Sequence, residues 1–138
     1  NKACPVVLRS RNSQPEVLVF RHPLAGIQLV KGTIEPGESS LSASERELKE
    51  EAGITLKAAY PLLEWQRSTD EPIWSIWMME SGDHLPDHWD HYCEDDGGHL
   101  FQYFWHPLSQ LPDSDWHPVF TDALAAIRKS LTMRLTHA

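Results

Sequence analysis

Cysteine is scarce in this chain of 138 residues: only Cys4 and Cys93 occur. Two are too few for the disulfide framework that holds small secreted domains together, so reduced thiols in a cytosol are the expectation. No apolar run approaches the about 18 residues of a membrane-spanning helix, and no signal-peptide pattern opens the sequence. The expected location is cytoplasmic, with no membrane partner. The first residue is Asn1 rather than Met, consistent with a few residues missing upstream. Positive charge is also in short supply. Twelve Lys and Arg against 20 Asp and Glu give a formal charge of −8 and a pI near 5.4. That is the wrong sign for gripping a nucleic-acid backbone. A bound metal ion would reverse the sign locally and admit a small polyphosphate. Internal repeats, low-complexity tracts and domain boundaries are absent too. What remains is 41% hydrophobic and 23% charged, the composition of one globular domain spanning residues 1–138 and long enough to bury a core.

Strand-like runs come early. Residues 3–8 (ACPVVL) and 16–21 (EVLVFR) flank a polar, turn-rich segment and suggest a hairpin, and residues 27–30 (IQLV) lead into Gly32. Later, residues 55–65 lean towards strand, residues 73–80 (IWSIWMME) are apolar on both faces and read as a central strand, and residues 100–106 form another. Leu124, Ile127, Leu131 and Leu135 recur at helical spacing over residues 121–135, with Thr121 or Asp122 as a cap. Strands, a helix, more strands and a terminal helix make a mixed α/β layer arrangement. Trp74, Trp77 and Trp105 read as core. Trp65 and Trp89 read first as packing residues and second as rings that could stack a base.

The chemistry is concentrated in residues 32–54, GTIEPGESSLSASERELKEEAGI. Placed on a helix over residues 41–52, Leu41, Leu48 and Ala52 share one apolar stripe. One of Ser39, Ser40 and Ser42 caps its start, and Gly53 ends it in the left-handed conformation. Glu47, Glu50 and Glu51 then crowd one neighbouring face and repel one another. Arg46, four residues before Glu50, can reach one carboxylate but not satisfy all three. A hard divalent cation with oxygen ligands can. The plainer reading of any such run is a solvated acidic face, but the spacing goes further. Gly32, five residues, Glu38, seven residues, then Arg46-Glu47-Leu48-x-Glu50-Glu51-x-Gly53-Ile54 contains seven fixed identities. At average usage these coincide by chance at about one in 10⁸ positions.

This pattern resembles the Nudix box at every fixed position, over 23 residues of the chain. The resemblance implies an α/β/α sandwich with a mixed sheet, and hydrolysis of a nucleoside diphosphate linked to a group X through water attack on phosphorus. It implies Mg²⁺, or Mn²⁺, as cofactor, because the cation neutralises a pyrophosphate that otherwise repels its nucleophile. By the same resemblance Glu50 and Glu51 are metal ligands, Glu47 is a ligand or the general base, and the Gly32 carbonyl is a main-chain ligand. Arg46 orients a carboxylate, Glu38 braces the loop and Gly53 closes the helix. Dimers are common in the family, which makes a homodimer the expected assembly.

Three questions stay open at this level. The nearest cations before the box, Arg21, His22 and Lys31, read either as surface charge or as phosphate contacts. A further carboxylate is expected from residues 81–98, with Glu94 or Asp95 the candidates. That segment reads as a solvated, acidic specificity loop. His84, His88 and His91 have zinc-like spacing for one helical face, but Pro86 interrupts such a helix. The third is X itself. LVKGTIEPGE is similar to the entry of the family's diadenosine polyphosphate hydrolases but has Val30 where proline is usual, so the expected partner is a nucleotide or dinucleoside polyphosphate with X unassigned. The alternative to an enzyme is a non-catalytic, nucleotide-sensing module of the same family; an acidic protein-interaction domain would make the box a coincidence.

Overall fold

The computed structural model describes residues 1–136. Two sheets and two helices form the fold. The first sheet has the order β5-β1-β7-β6. It comprises β1 (Lys2–Val6), β5 (Gly32–Thr33), β6 (Ala58–Trp65) and β7 (Trp74–Met79). It is mixed: β1 and β7 run parallel, while the β5–β1 and β6–β7 pairs are antiparallel. The apolar strand read from residues 73–80 is indeed central, flanked by β1 and β6. Pro61 is tolerated in β6 because that strand forms an edge.

The second sheet is antiparallel and runs β2-β3-β9-β8. Its strands are β2 (Leu8–Arg11), β3 (Gln14–His22), β8 (Trp89–Cys93) and β9 (His99–Pro107), with the short β4 (Gly26–Gln28) also on β3. The chain passes between sheets at Val7. The segment expected as an irregular turn is mostly strand, closed by Asn12 and Ser13, both at positive φ (52° and 64°) between paired Arg11 and Gln14. Two left-handed residues match the twist of a two-residue hairpin.

The larger correction concerns residues 81–98, which are not a solvated loop throughout. Residues 89–93 form β8. Its inward residues Trp89, His91 and Cys93 alternate with exposed Asp90 and Tyr92, a period-2 pattern hidden among acidic residues and histidines. Residues before it are tied down: Ser10 N–H donates to Asp83, and Asp87 pairs with Arg9 and Arg11. His84 and His88 are exposed there. Among the described residues they form no metal-holding group with His91.

Helix α1 (Ser40–Ala52) lies among both sheets, touching β1, β5, β6, β7, β8 and β9. Ser39 is the cap, its hydroxyl accepting the Ser42 N–H at 3.1 Å. Leu41 is exposed and leaves the expected stripe, whereas Ala43, Ser44, Leu48 and Ala52 are buried. Leu48 joins Val7, Phe20, Tyr103 and Trp105 in one core cluster. Complete burial of such an aliphatic chain contributes about 1.5–3 kcal/mol. Helix α2 (Pro118–Thr136) begins earlier than expected, with Pro118 at a position where its missing N–H costs nothing. Phe120, Leu124 and Ile127 join Val6, Ile76 and Trp74 in a second cluster against the first sheet. The result is the layered α/β arrangement expected, with a second sheet added to the mixed one.

Candidate active site

The polar face of α1 is organised by Arg46. Its guanidinium grips both oxygens of Glu38 (2.7 and 2.8 Å) and donates from Nη1 to Glu47 at 2.7 Å and to Glu50 at 3.1 Å. Nη2 also donates to the Thr33 carbonyl at 2.9 Å. One planar fork therefore ties the loop before the helix to two carboxylates on it. Glu38 additionally accepts the Glu35 N–H at 3.1 Å. The Arg46 hydrogen bonds first, and then this backbone bond, pull its pKa down to about 2. Arg46 is itself held charged, chiefly by Glu38.

Glu47 and Glu51, one turn apart, lie on the buried side of the helix at 6% and 8% exposure. Glu50 sits on the adjoining face with 49% of its side chain exposed. Burial pushes the Glu51 pKa far up, and the hydrogen bond and charge of Glu47 push it further; Asp95 adds to this and Lys31 opposes it. Two adjacent carboxylates in low dielectric each oppose the other's ionisation unless a cation lies beside them. Gly32 faces this pair closely: a Cβ built on it would overlap the Glu47 carboxylate. Only glycine leaves room for Glu47 where it stands.

The late carboxylate is Asp95, in a one-turn 3₁₀ helix (Asp95–Gly97) between β8 and β9. Oxygens of Glu47, Glu50 and Asp95 all lie within 4.8 Å of one another. Glu94 lies outside that trio, exposed on a neighbouring groove. The oxygen-only donor set fits a hard divalent cation rather than a soft one.

The C-terminus of α1 is closed by Gly53, as expected, and pinned by three residues from other elements that nothing local in the sequence marks for this role. The N–H of Gly53, at φ 74°, bonds the Lys49 carbonyl at 3.0 Å. His91 Nε2 lies 3.0 Å from the Glu50 carbonyl. The Tyr103 hydroxyl donates to the Glu51 carbonyl at 2.8 Å, and Trp89 Nε1 donates to the Ala52 carbonyl at 2.9 Å. The four carbonyls that a helix leaves orphaned each have a partner here. Trp89 also stacks on Tyr103, with ring centres 5.2 Å apart, and Trp65 packs edge-on against Trp74 at 5.0 Å. Both tryptophans thus play the packing role.

A cleft of about 690 Å³ opens beside the trio. Lys31 lines it, with its ammonium 5.1 Å from the Trp74 ring centre. Burial, then the nearby Lys2, lowers its pKa. His22 lines it as well. Arg21 does not: strand alternation turns it to the other face, where it lies 3.7 Å from Asp115. Phe20, Phe101, His99 and Gln28 also line it. Their only sequence signal was alternation within strands.

The family model for the NUDIX domain matches residues 2–124. The chain belongs to the Nudix family and is a Nudix pyrophosphohydrolase, with every charged position of the box in place. Solved structures agree on the fold. An Ap4A hydrolase of C. elegans, crystallised as a binary complex, superposes with a TM-score of 0.65 at 20% identity, over 99% of this chain and 98% of that one. The NUDIX domain of Shewanella oneidensis NrtR, complexed with ADP ribose, gives 0.65 at 16% identity over 97% and 86%. A MutT protein from Methanosarcina mazei Go1 gives 0.63 at 18% over 93% and 91%. No curated protein sequence matches the chain. Among the described residues no helix is long and apolar enough to cross a membrane.

Proposed function

We propose that this protein hydrolyses the phosphoanhydride bond of a nucleoside diphosphate joined to a further group X, with Mg²⁺ or Mn²⁺ as cofactor. The observation that carries the reading is the convergence of Glu47 and Glu50 from the box helix with Asp95 from a distant hairpin within 4.8 Å. Glu47, Glu50, Glu51 and Asp95, with the Gly32 carbonyl, would hold the cation, which neutralises the diphosphate and makes water a better nucleophile. Arg46 keeps Glu47 and Glu50 in register and so prepays the ordering of the site. Lys31 and Lys2, on the cleft wall, counter the charge of the departing phosphates. Arg21 has no part in this reading.

Two relatives suggest which X to try first: one is named for Ap4A and the other was complexed with ADP ribose. The test is product release from Ap4A, ADP-ribose and nucleoside triphosphates with Mg²⁺ and with Mn²⁺. Turnover of one class that disappears in both Glu50→Gln and Asp95→Asn is the expected result. Undiminished turnover in both variants would sink the assignment. Tight nucleotide binding with no turnover at saturating metal would favour the sensing module instead.

A further inference from the structure

Glu47 and Glu50 of the trio stand on α1, and Asp95 stands in the turn after β8. The cluster therefore exists only while that turn is held at one height along the helix. Arg46 does not set this height. Its bonds go to Glu38, Glu47, Glu50 and the Thr33 carbonyl, all of them within residues 32–54. It registers the box against itself and leaves the hairpin to be placed by something else.

The link lies in β8, whose inward residues meet the last turn of α1 in reverse order. Trp89 Nε1 donates to the Ala52 carbonyl at 2.9 Å, and His91 Nε2 lies 3.0 Å from the Glu50 carbonyl. The strand thus descends the helix end as its numbering rises, and Cys93 and Asp95 follow towards Glu47 and Glu50. A carbonyl only accepts, so His91 Nε2 carries the proton of its bond. The ring is also closely confined. A Cβ built on Gly53 would lie 2.6 Å from His91 Nδ1 and 2.9 Å from its Cε1. Position 53 is glycine for two reasons, its φ of 74° and the imidazole lying against it.

His91 differs from Trp89 and Tyr103 in what it joins. Those two rings stack on one another and serve the core as well as the helix end. His91 is only half-buried. Its acceptor is the backbone of one trio member, Glu50, and its strand runs directly into the turn that bears another, Asp95. We propose that His91 is a positioning residue of the cation site: its bond to the Glu50 carbonyl fixes the β8–β9 turn against α1, so that Asp95 closes on Glu47 and Glu50. The imidazole acts through the two carboxylates and not on the metal itself. The inference rests on the reading of the trio as the site of a divalent cation.

Mn²⁺ binding to the whole chain without substrate, read from the loss of the free ion's electron paramagnetic resonance signal, tests this. His91→Leu fills the space but has no donor. It should weaken Mn²⁺ binding by about 10- to 100-fold, the usual effect of losing a group that orients metal ligands, with a circular-dichroism spectrum like that of the wild type. His91→Gln, whose amide can donate from near the place of Nε2, should recover most of the lost affinity. His91→Asn is too short to reach the carbonyl and should lose as much as His91→Leu; it carries the test should leucine leave the chain unfolded. In an Asp95→Asn background His91→Leu should cost little more, because no third carboxylate is left to deliver. Wild-type Mn²⁺ affinity in His91→Leu and His91→Asn would overturn the positioning role. So would a loss in His91→Gln equal to theirs, or losses that simply multiply when His91→Leu and Asp95→Asn are combined. Each of these leaves the cation reading standing, since the wild type still binds. No Mn²⁺ binding by the wild type would instead sink the cation reading and this inference with it.

Discussion

Removing one oxygen from Tyr103 tests whether the end of the box helix depends on the second sheet. Tyr103 is 1% exposed and its hydroxyl donates to the Glu51 carbonyl at 2.8 Å. Tyr103→Phe keeps the ring, its stacking on Trp89 and its contact with Phe20, so the loss is confined to the hydrogen bond. The carbonyl left behind is a helix-terminal acceptor with no intrahelical donor. Leaving such a group buried and unpaired costs about 1–3 kcal/mol. For 138 residues, an unfolding entropy near 2.1 cal/mol/K per residue converts this into a Tm lower by about 3–10 °C. Burial first, then Glu51 and Cys93, raises the Tyr103 pKa well above its usual value. The donor therefore persists at mildly alkaline pH, and the deficit should be the same there as at neutrality. Calorimetry or a circular-dichroism melt reads it directly. A deficit below about 0.5 kcal/mol, or one that vanishes on mild alkalinisation, would refute the argument that this hydroxyl secures the helix end.

Three further outcomes follow from single side chains. Ser44 is 0% exposed and its Oγ has no partner, so Ser44→Ala should raise stability by about 1 kcal/mol in urea titration, since it removes a desolvated hydroxyl and improves helix propensity; a loss would mean that a buried water serves the group. Gly32→Ala should lower kcat/KM by about 10²-fold or more with a near-native circular-dichroism spectrum, because the new Cβ displaces the Glu47 carboxylate; unchanged kinetics would show that Glu47 need not stand there. The pKa of Glu38 falls from 4.5 to about 2 on folding, owing to Arg46. Its contribution is therefore complete above about pH 4.5 and fades as the pH drops through about 2. The Tm gap between wild type and Glu38→Gln should shrink over that window, and a gap constant with pH would contradict the pairing.

The sequence by itself determined the box helix and what it carries. Glu47, Glu50 and Glu51, a serine cap and the Gly53 stop are all local, set by residues within a few turns of one another; Arg46, expected to reach one carboxylate, holds Glu38, Glu47 and Glu50. Periodicity within one element also sufficed for the central strand β7 and for most of α2. Tertiary structure alone decided what depends on strand pairing. The choice of Asp95 over Glu94 comes from where the β8–β9 hairpin turns against α1. Arg21 leaves the cleft and His22 stays in it because β3 pairs with β9 in one register and not the next. The helix-end bonds from Trp89, His91 and Tyr103 span 37 to 52 residues of chain. No spacing rule along the sequence encodes such contacts, because they exist only once two sheets have closed around one helix.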